Sequence, residues 1–125
     1  MANKASMPAG AVFAVMITSM LAIAEPPKET VNVTAGEFAF KPGVVTVSKG
    51  EEVVLVLNNQ GALSHNLVIP ELDLEIKSIQ TDENGRIRFT VDRTGTFVFY
   101  CSVPGHKEAG MTGELRVEKN QETSG

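Results

Sequence analysis

Residues 84–101, NGRIRFTVDRTGTFVFYC, contain the pattern that decides the fold. Polar and apolar side chains alternate through two short runs, as expected for strands with one buried face. The apolar positions that share a face within each run are Ile87, Phe89 and Val91, and then Phe97, Phe99 and Cys101. Asn84-Gly85 is typical of a tight hairpin turn, and Thr94-Gly95 predicts a reversal between the two runs. The segment therefore predicts short strands joined by turns.

The same alternation extends outward over the rest of the chain. The further strand candidates are Thr30–Glu37 continued by Phe38–Phe40, Val44–Ser48, Glu52–Asn58, Leu63–Ile69, Leu72–Lys77 and Leu115–Val117. After Pro27, no segment has a convincing helical period. About eight short strands separated by turn residues predict an all-β protein, an antiparallel Greek-key β-sandwich.

The composition limits the functions that this chain can have. Its 125 residues correspond to one domain, and a composition of 42% hydrophobic and 21% charged residues can form a core. The net charge of −4 argues against nucleic acid as a partner, since phosphates attract clustered Lys and Arg side chains. One cysteine excludes an internal disulfide and a four-thiolate iron–sulfur centre, and two histidines are too few for a multi-copper cluster.

The N-terminal segment differs from the rest of the chain. Residues 5–24 carry no charge and follow Lys4, and the small residues Ala22 and Ala24 stand at their end. This pattern is typical of a cleaved signal peptide. A retained membrane anchor is the alternative, because a helix of this length extends about 30 Å. Both alternatives place the protein in the periplasm or elsewhere outside the cytoplasm. The expected divisions are residues 1–24, the signal peptide or anchor; 25–30, a linker; 31–119, the domain; and 120–125, a flexible tail.

Four side chains carry the chemistry. Cys101, His106 and Met111 form a Cys-x4-His-x4-Met motif, and His65 lies on an earlier strand candidate. Because the motif contains Pro104 and two glycines, its loop can fold back and present several side chains to one point. A sandwich that joins two strand ends at one pole can add His65. Two imidazoles, a thiolate and a weak thioether form the blue-copper ligand set, which suits both Cu(I) and Cu(II).

Each of these residues also has an ordinary structural interpretation. Alone, Cys101 would be a small buried apolar residue, His65 a polar residue at a strand end and Met111 a filler of the core. The metal hypothesis rests on their combination. A structural zinc site would rarely use methionine, and a metal-bound thiolate is not free to attack a substrate. Because no histidine is left for a catalytic copper, we expect no enzymatic activity.

Several motifs around these residues support a family resemblance. They are Phe38–Pro42, Val47–Gly50, Ser64–Leu67, Phe99–His106 and Gly110-Met111. Together they resemble the cupredoxins, the blue-copper family of plastocyanin and azurin, and the ligand spacing is most similar to auracyanin and rusticyanin. The resemblance implies one type 1 copper at one end of a Greek-key sandwich. It implies His65, Cys101 and His106 as equatorial ligands, Met111 as the axial ligand, and Asn66 as a residue that ties the two ligand loops together.

The function implied by this resemblance is one-electron transfer by a copper that cycles between Cu(I) and Cu(II). A copper chaperone or storage protein is the alternative, and a metal-free adhesion sandwich is a third. We expect the edge of His106 to be the electron port, in a flat apolar docking patch of Ala62, Leu63, Pro104 and Gly105. The expected partners of the monomer are redox proteins such as a c-type cytochrome, an oxidase or a photosynthetic complex.

A group of acidic residues has two interpretations. Its members are Glu71, Asp73, Glu75, Asp82 and Glu83. They form either a patch that steers a partner or an outer strand face exposed to solvent, and the second is the more frequent arrangement.

Overall fold

A computed structural model describes residues 29–120, together with residues 10 and 14. Over these residues the chain forms nine strands in two sheets. The strands are β1 (Glu29–Gly36), β2 (Ala39–Lys41), β3 (Val44–Ser48), β4 (Glu52–Asn59), β5 (His65–Ile69), β6 (Leu74–Ile79), β7 (Asn84–Thr90), β8 (Gly95–Tyr100) and β9 (Thr112–Glu118). The first sheet has the order β2-β1-β4-β7 and the second has the order β3-β9-β8-β5-β6. A short 3-10 turn, Pro70–Leu72, joins β5 to β6.

The prediction of an all-β sandwich is confirmed, with one strand more than the eight expected. The additional strand arises because β1 does not continue through Phe40. The chain reverses at Glu37 and Phe38, and β2 pairs back onto β1 in antiparallel register. Phe38 has a φ of 60°, a left-handed conformation that is found in tight turns. Glu37 and Phe38 therefore lie at the tip of a hairpin.

Two strand pairs are parallel, namely β1 with β4 and β3 with β9. Each parallel pair is formed because the chain crosses to the other sheet before it returns, as parallel neighbours require a crossover. The sheets are therefore mixed, whereas the alternation in the sequence predicted antiparallel pairs. Alternation of polar and apolar residues has the same period in both kinds of pair, so it does not distinguish them.

The core lies between the two sheets and extends to the end where β8 stops. In β4, Val53, Leu55 and Leu57 are completely or almost completely buried, and the intervening Val54 and Val56 are also buried. This explains the continuous apolar run of that strand, and each such side chain contributes about 1.5–3 kcal/mol. Cys101 and Met111 belong to the same hydrophobic cluster. Two of the three side chains in the Cys-x4-His-x4-Met motif are therefore held by the core itself.

The predicted hairpin turn at Asn84-Gly85 is wrong. Both residues are the first positions of β7 and pair with β4. The turn lies earlier, where the Glu83 N–H donates to the Gln80 carbonyl at 3.0 Å. At position 85, a Cβ would lie 2.6 Å from Cγ2 of Ile76, which is too close. A glycine within a strand marks such a close approach, so the Asn-Gly pair reflects packing and not turn geometry.

Most of the N-terminal segment lies outside the described residues. This applies to the predicted signal peptide or anchor, apart from residues 10 and 14, to residues 25–28 of the linker and to residues 121–125 of the tail. In the part of the chain that is described, no helix has the length and apolar character needed to cross a membrane. The division of the chain stays a prediction.

Candidate metal centre

Three strand ends meet at one pole of the sandwich. β5 begins with His65, β8 ends at Tyr100 immediately before Cys101, and β9 begins immediately after Met111. In the sheet, β8 lies between β5 and β9, so these ends are neighbours. The loop between β8 and β9 contains His106. The structure thus brings all four predicted ligand residues to the same end of the core.

The side-chain geometry fits a single metal ion. Cys101 Sγ lies 3.5 Å from His106 Nδ1 and 3.9 Å from His65 Nδ1, and the two Nδ1 atoms are 3.2 Å apart. A point equidistant from these three atoms lies about 2.1 Å from each of them, and bonds from a metal to nitrogen and sulfur are about 2.0–2.3 Å long. His65 and Cys101 are fully buried, and His106 is 7% exposed. The three atoms therefore surround a sheltered, metal-sized space.

Met111 is the fourth candidate ligand, and it lies at the same pole as the other three. Its side chain is fully buried, and its backbone is bonded to two of the other candidate ligands. The Cys101 N–H donates to the Met111 carbonyl at 3.1 Å, and the Met111 N–H donates to the His106 carbonyl at 3.1 Å. The His106 N–H in turn donates to the Val103 carbonyl at 3.0 Å. Gly105 permits this reversal because it adopts a φ of 86°.

Asn66 links the two segments that carry the ligands. Its Nδ2 donates to Ser102 Oγ at 2.7 Å, and its Oδ1 accepts the Ser102 N–H at 2.7 Å. Because Asn66 follows His65 and Ser102 follows Cys101, this reciprocal pair connects neighbours of two candidate ligands. The amide is buried, so its orientation is fixed by these partners.

A second asparagine, which sequence reasoning missed, organises the segment that leads to His65. Asn59 is fully buried at the end of β4. Its Nδ2 donates to the carbonyls of Leu63 at 2.8 Å and Ile79 at 3.0 Å, and its Oδ1 accepts the Gly61 N–H at 2.9 Å. Asparagine at a turn often bonds nearby backbone in this way, and that was the signal available in the sequence.

Glu37 is another residue that sequence reasoning missed. Its Oε1 accepts the N–H groups of Ala62 at 2.6 Å and Leu63 at 3.1 Å. The same oxygen lies 3.5 Å from His65 Nε2, which is longer than an ordinary N–H···O hydrogen bond, so this approach is an electrostatic contact. Glu37 lies at the tip of the β1–β2 hairpin, far along the chain from the ligand motif, and no sequence pattern pointed to it.

The surroundings of this pair favour a neutral histidine and a charged carboxylate. Burial lowers the pKa of His65 from its ordinary value of 6.5, although the neighbouring Glu37 carboxylate acts in the opposite direction. The hydrogen bond from the Leu63 N–H lowers the pKa of Glu37 from its ordinary value of 4.5. Desolvation acts in the opposite direction, while the Ala62 N–H and the electrostatic contact with His65 lower the pKa further. Neutral imidazole is the form that binds metals.

Several apolar residues are exposed near His106. The predicted docking residues are all exposed there, namely Ala62, Leu63, Pro104 and Gly105. Phe38 is exposed over 41% of its surface and packs edge-to-face against the His106 ring, with centroids 5.2 Å apart. In the sequence, Phe38 is recognisable only as part of a family motif. Its place beside His106 became visible only when the β1–β2 hairpin was known.

The acidic residues singled out in the sequence are exposed. All five, Glu71, Asp73, Glu75, Asp82 and Glu83, have solvent-exposed positions on or near β6 and the turn that precedes β7. This exposure fits both interpretations, and their role in steering a partner stays a prediction.

The fold and the four candidate ligands together define a class of protein, the Greek-key β-sandwich with a mononuclear type 1 copper site at one pole. Comparison with known families agrees with this class. The family model described as the Cupredoxin-like domain matches residues 9–117, and the chain belongs to this family. Type 1 copper is accordingly the cofactor, and His65, Cys101, His106 and Met111 are positioned as its site.

Individual relatives are similar over most of the chain. Plastocyanin from Dryopteris crassirhizoma is 35% identical over 105 residues, which cover 73% of this chain and 99% of that protein. The copper-resistant cuproprotein CopI from Rubrivivax gelatinosus is 29% identical over 110 residues, covering 72% of this chain and 67% of that protein. Among solved structures, reduced auracyanin from Roseiflexus castenholzii has a TM-score of 0.65 at 22% identity and covers 74% of this chain and 99% of that chain. The auracyanin likeness is one of fold.

Proposed function

We propose that this protein is a one-electron carrier and not an enzyme. The observation that supports this most strongly is the triangle of Cys101 Sγ and the two Nδ1 atoms, which is buried and sized for one ion. Bound there, copper supplies a single electron by changing between Cu(I) and Cu(II). Both histidines and the only cysteine of the sequence are used in this one site. None is left for the second copper that an oxidase would need.

Each candidate ligand has a separate role in this proposal. His65 and His106 would hold the copper through Nδ1 and Cys101 would hold it through its thiolate, as the three equatorial ligands. Met111 would be the axial ligand, and its weak thioether would set the potential above that of a site with a harder oxygen ligand. Asn66 holds the two ligand segments at a fixed separation through its bonds to Ser102.

The chain contributes to electron transfer by resisting rearrangement. The ligand side chains are buried in the core, and the loop from Cys101 to Met111 is bonded to itself. A site of this kind changes little when its charge changes, because close-packed side chains do not move freely. Burial also excludes water from the thiolate of Cys101, which protects it from oxidation.

Electrons enter and leave through the edge of His106. We propose that a partner docks on the apolar patch of Ala62, Leu63, Pro104 and Gly105 and that Phe38 belongs to this patch. A small apolar surface favours brief contact, as a carrier requires. The expected partner is a redox protein such as a c-type cytochrome, an oxidase or a photosynthetic complex. We place this exchange outside the cytoplasm because of the signal-like pattern of residues 1–24.

Copper titration of the purified protein tests the proposal. Wild type should bind one copper, develop an intense sulfur-to-copper absorption band in the visible range and give a reversible one-electron couple in voltammetry. Cys101→Ser should remove the band while circular dichroism shows that the sandwich remains folded. A wild-type protein without the band, or without a reversible couple, would contradict the proposed carrier.

Copper handling is the second candidate function. The similarity to CopI, a protein named for copper resistance, favours it. The burial of all four candidate ligands favours the carrier, because a protein that delivers copper must release it readily. Mixing the Cu(I) protein with a Cu(I)-specific chelator distinguishes the two. Retention of copper over many minutes indicates a carrier, and loss within seconds indicates a protein that hands copper on.

A further inference from the structure

One nitrogen of the site has no ordinary hydrogen-bond partner. In His65, Nδ1 faces Cys101 Sγ and His106 Nδ1, so the proton of the neutral ring must be on Nε2 if Nδ1 is to bind a metal. Nε2 is completely buried, and within the described residues it makes no hydrogen bond. A buried N–H without an acceptor is destabilising. The proton on Nε2 therefore needs a compensating negative group nearby.

Glu37 supplies that negative group. Its Oε1 lies 3.5 Å from His65 Nε2 and is fixed in place by the N–H groups of Ala62 and Leu63. Gly61 lies next to both Glu37 Oε1 and His65 Nε2. A Cβ at position 61 would contact Glu37 Oε1 and would be 2.9 Å from His65 Nε2. The absence of a side chain at Gly61 is what allows carboxylate and imidazole to approach each other.

We propose that Glu37 is a positioning residue of the copper site, which keeps the His65 proton on Nε2 and so leaves Nδ1 free to bind the metal. This inference rests on the proposed function. The partner of a ligating imidazole fixes its tautomer and ring orientation, and loss of such a partner typically costs 10- to 100-fold in metal affinity. Glu37 acts from the β1–β2 hairpin, so a third segment of the chain takes part in building the site.

The charge of Glu37 has a second effect. The oxidised centre carries one positive charge more than the reduced centre, and a nearby carboxylate stabilises the more positive form. Glu37 therefore lowers the reduction potential relative to the same site without this charge. A glutamine at position 37 would keep an oxygen acceptor but remove the charge, whereas an alanine would remove both.

Three variants separate these effects. Glu37→Gln and Glu37→Ala are compared with Glu118→Gln, which removes the same charge from an exposed position at the far end of β9. That end is about 20 Å along the strand from the copper pole. Copper-free samples are examined by 15N NMR of the His65 ring, which reports the tautomer without any metal. Copper-loaded samples are examined for Cu(II) affinity by chelator competition, and for reduction potential.

The expected results differ between the variants. Glu37→Ala should shift the copper-free ring toward the tautomer protonated on Nδ1 and weaken Cu(II) binding about 10- to 100-fold. Glu37→Gln should largely retain the tautomer and the affinity, and its potential should rise above that of Glu118→Gln. If Glu37→Ala keeps the wild-type tautomer and binds Cu(II) within about threefold of wild type, the inference is wrong. If wild type itself lacks the visible band and the reversible couple, it is the carrier proposal that fails.

A change at Gly61 gives an independent test without altering any charge. Gly61→Ala introduces the Cβ that would separate Glu37 from His65, and it should reproduce the tautomer shift and the loss of affinity of Glu37→Ala. Gly43→Ala is the matched control, because a Cβ there would meet only the Phe40 carbonyl at an ordinary 3.7 Å. Equal affinities in the two glycine variants would overturn the inference.

Discussion

Replacing Asn66 by alanine should destabilise the protein through the loss of two defined hydrogen bonds. The amide of Asn66 donates to Ser102 Oγ and accepts the Ser102 N–H, both at 2.7 Å. The substitution removes both bonds and leaves the backbone of β5 unchanged. It therefore tests how strongly the two ligand-bearing segments are coupled.

The magnitude follows from the number of bonds that each variant loses. An intramolecular hydrogen bond contributes about 0.5–1.5 kcal/mol, so Asn66→Ala should cost about 1–3 kcal/mol. Ser102→Ala loses only the bond to its Oγ and should cost about 0.5–1.5 kcal/mol. In the double variant that bond cannot be lost twice. Its cost should equal that of Asn66→Ala alone, which gives a coupling energy of about 0.5–1.5 kcal/mol.

Urea unfolding of the copper-free proteins, followed by circular dichroism, measures these differences. Asn32→Ala is the control, since Asn32 is an exposed asparagine in β1, and it should change the free energy of unfolding by less than about 0.5 kcal/mol. If the costs of Asn66→Ala and Ser102→Ala add fully in the double variant, the two side chains do not act as a pair. The proposed role of Asn66 as a link between the ligand segments would then be refuted.

Three further predictions concern the potential, the docking patch and the acid stability. Met111→Gln should retain copper but lower the reduction potential, because a harder axial oxygen favours Cu(II); an unchanged potential in voltammetry would refute the axial assignment. Leu63→Glu should slow electron exchange with a redox partner at least tenfold while the visible spectrum stays unchanged, and equal stopped-flow rates would exclude the docking patch. Since the pKa of Glu37 is lowered in the folded protein, its stabilising effect is present above pH 4.5 and is lost as the pH falls through the folded pKa. The unfolding free energy of copper-free Glu37→Gln should therefore depend less on pH below 4.5 than that of wild type, and identical acid profiles would argue against the contact.

The sequence was sufficient to predict the fold class and to predict that the four candidate ligand residues lie at one pole of the sandwich. Alternating apolar positions predicted the strands because a strand with one buried face must have period two. The Cys-x4-His-x4-Met spacing predicted the loop because its ligands are close along the chain. His65 was harder to place from physics alone, since its approach to Cys101 depends on β5 and β8 being adjacent in one sheet.

The features that the sequence did not reveal depend on tertiary contacts. Gly85 was interpreted as a turn residue, but its lack of a side chain serves the approach of Ile76. Glu37 and Phe38 reach the site only because the chain reverses between β1 and β2. A charged residue and an exposed aromatic ring in a hairpin have no periodicity that points to a metal. Their positions relative to His65 and His106 follow from the packing of segments that are distant in sequence.

The bond from the Cys101 N–H to the Met111 carbonyl closes the neck of the loop that bears three of the four candidate ligands. The length and sequence of the loop between these two residues can therefore vary while the β-sandwich stays the same. A longer or shorter loop would alter the coordination of the copper, while the hydrogen bonds between β8 and β9 would keep their register. Natural or laboratory evolution could therefore adjust the reduction potential of the copper centre without changing the fold.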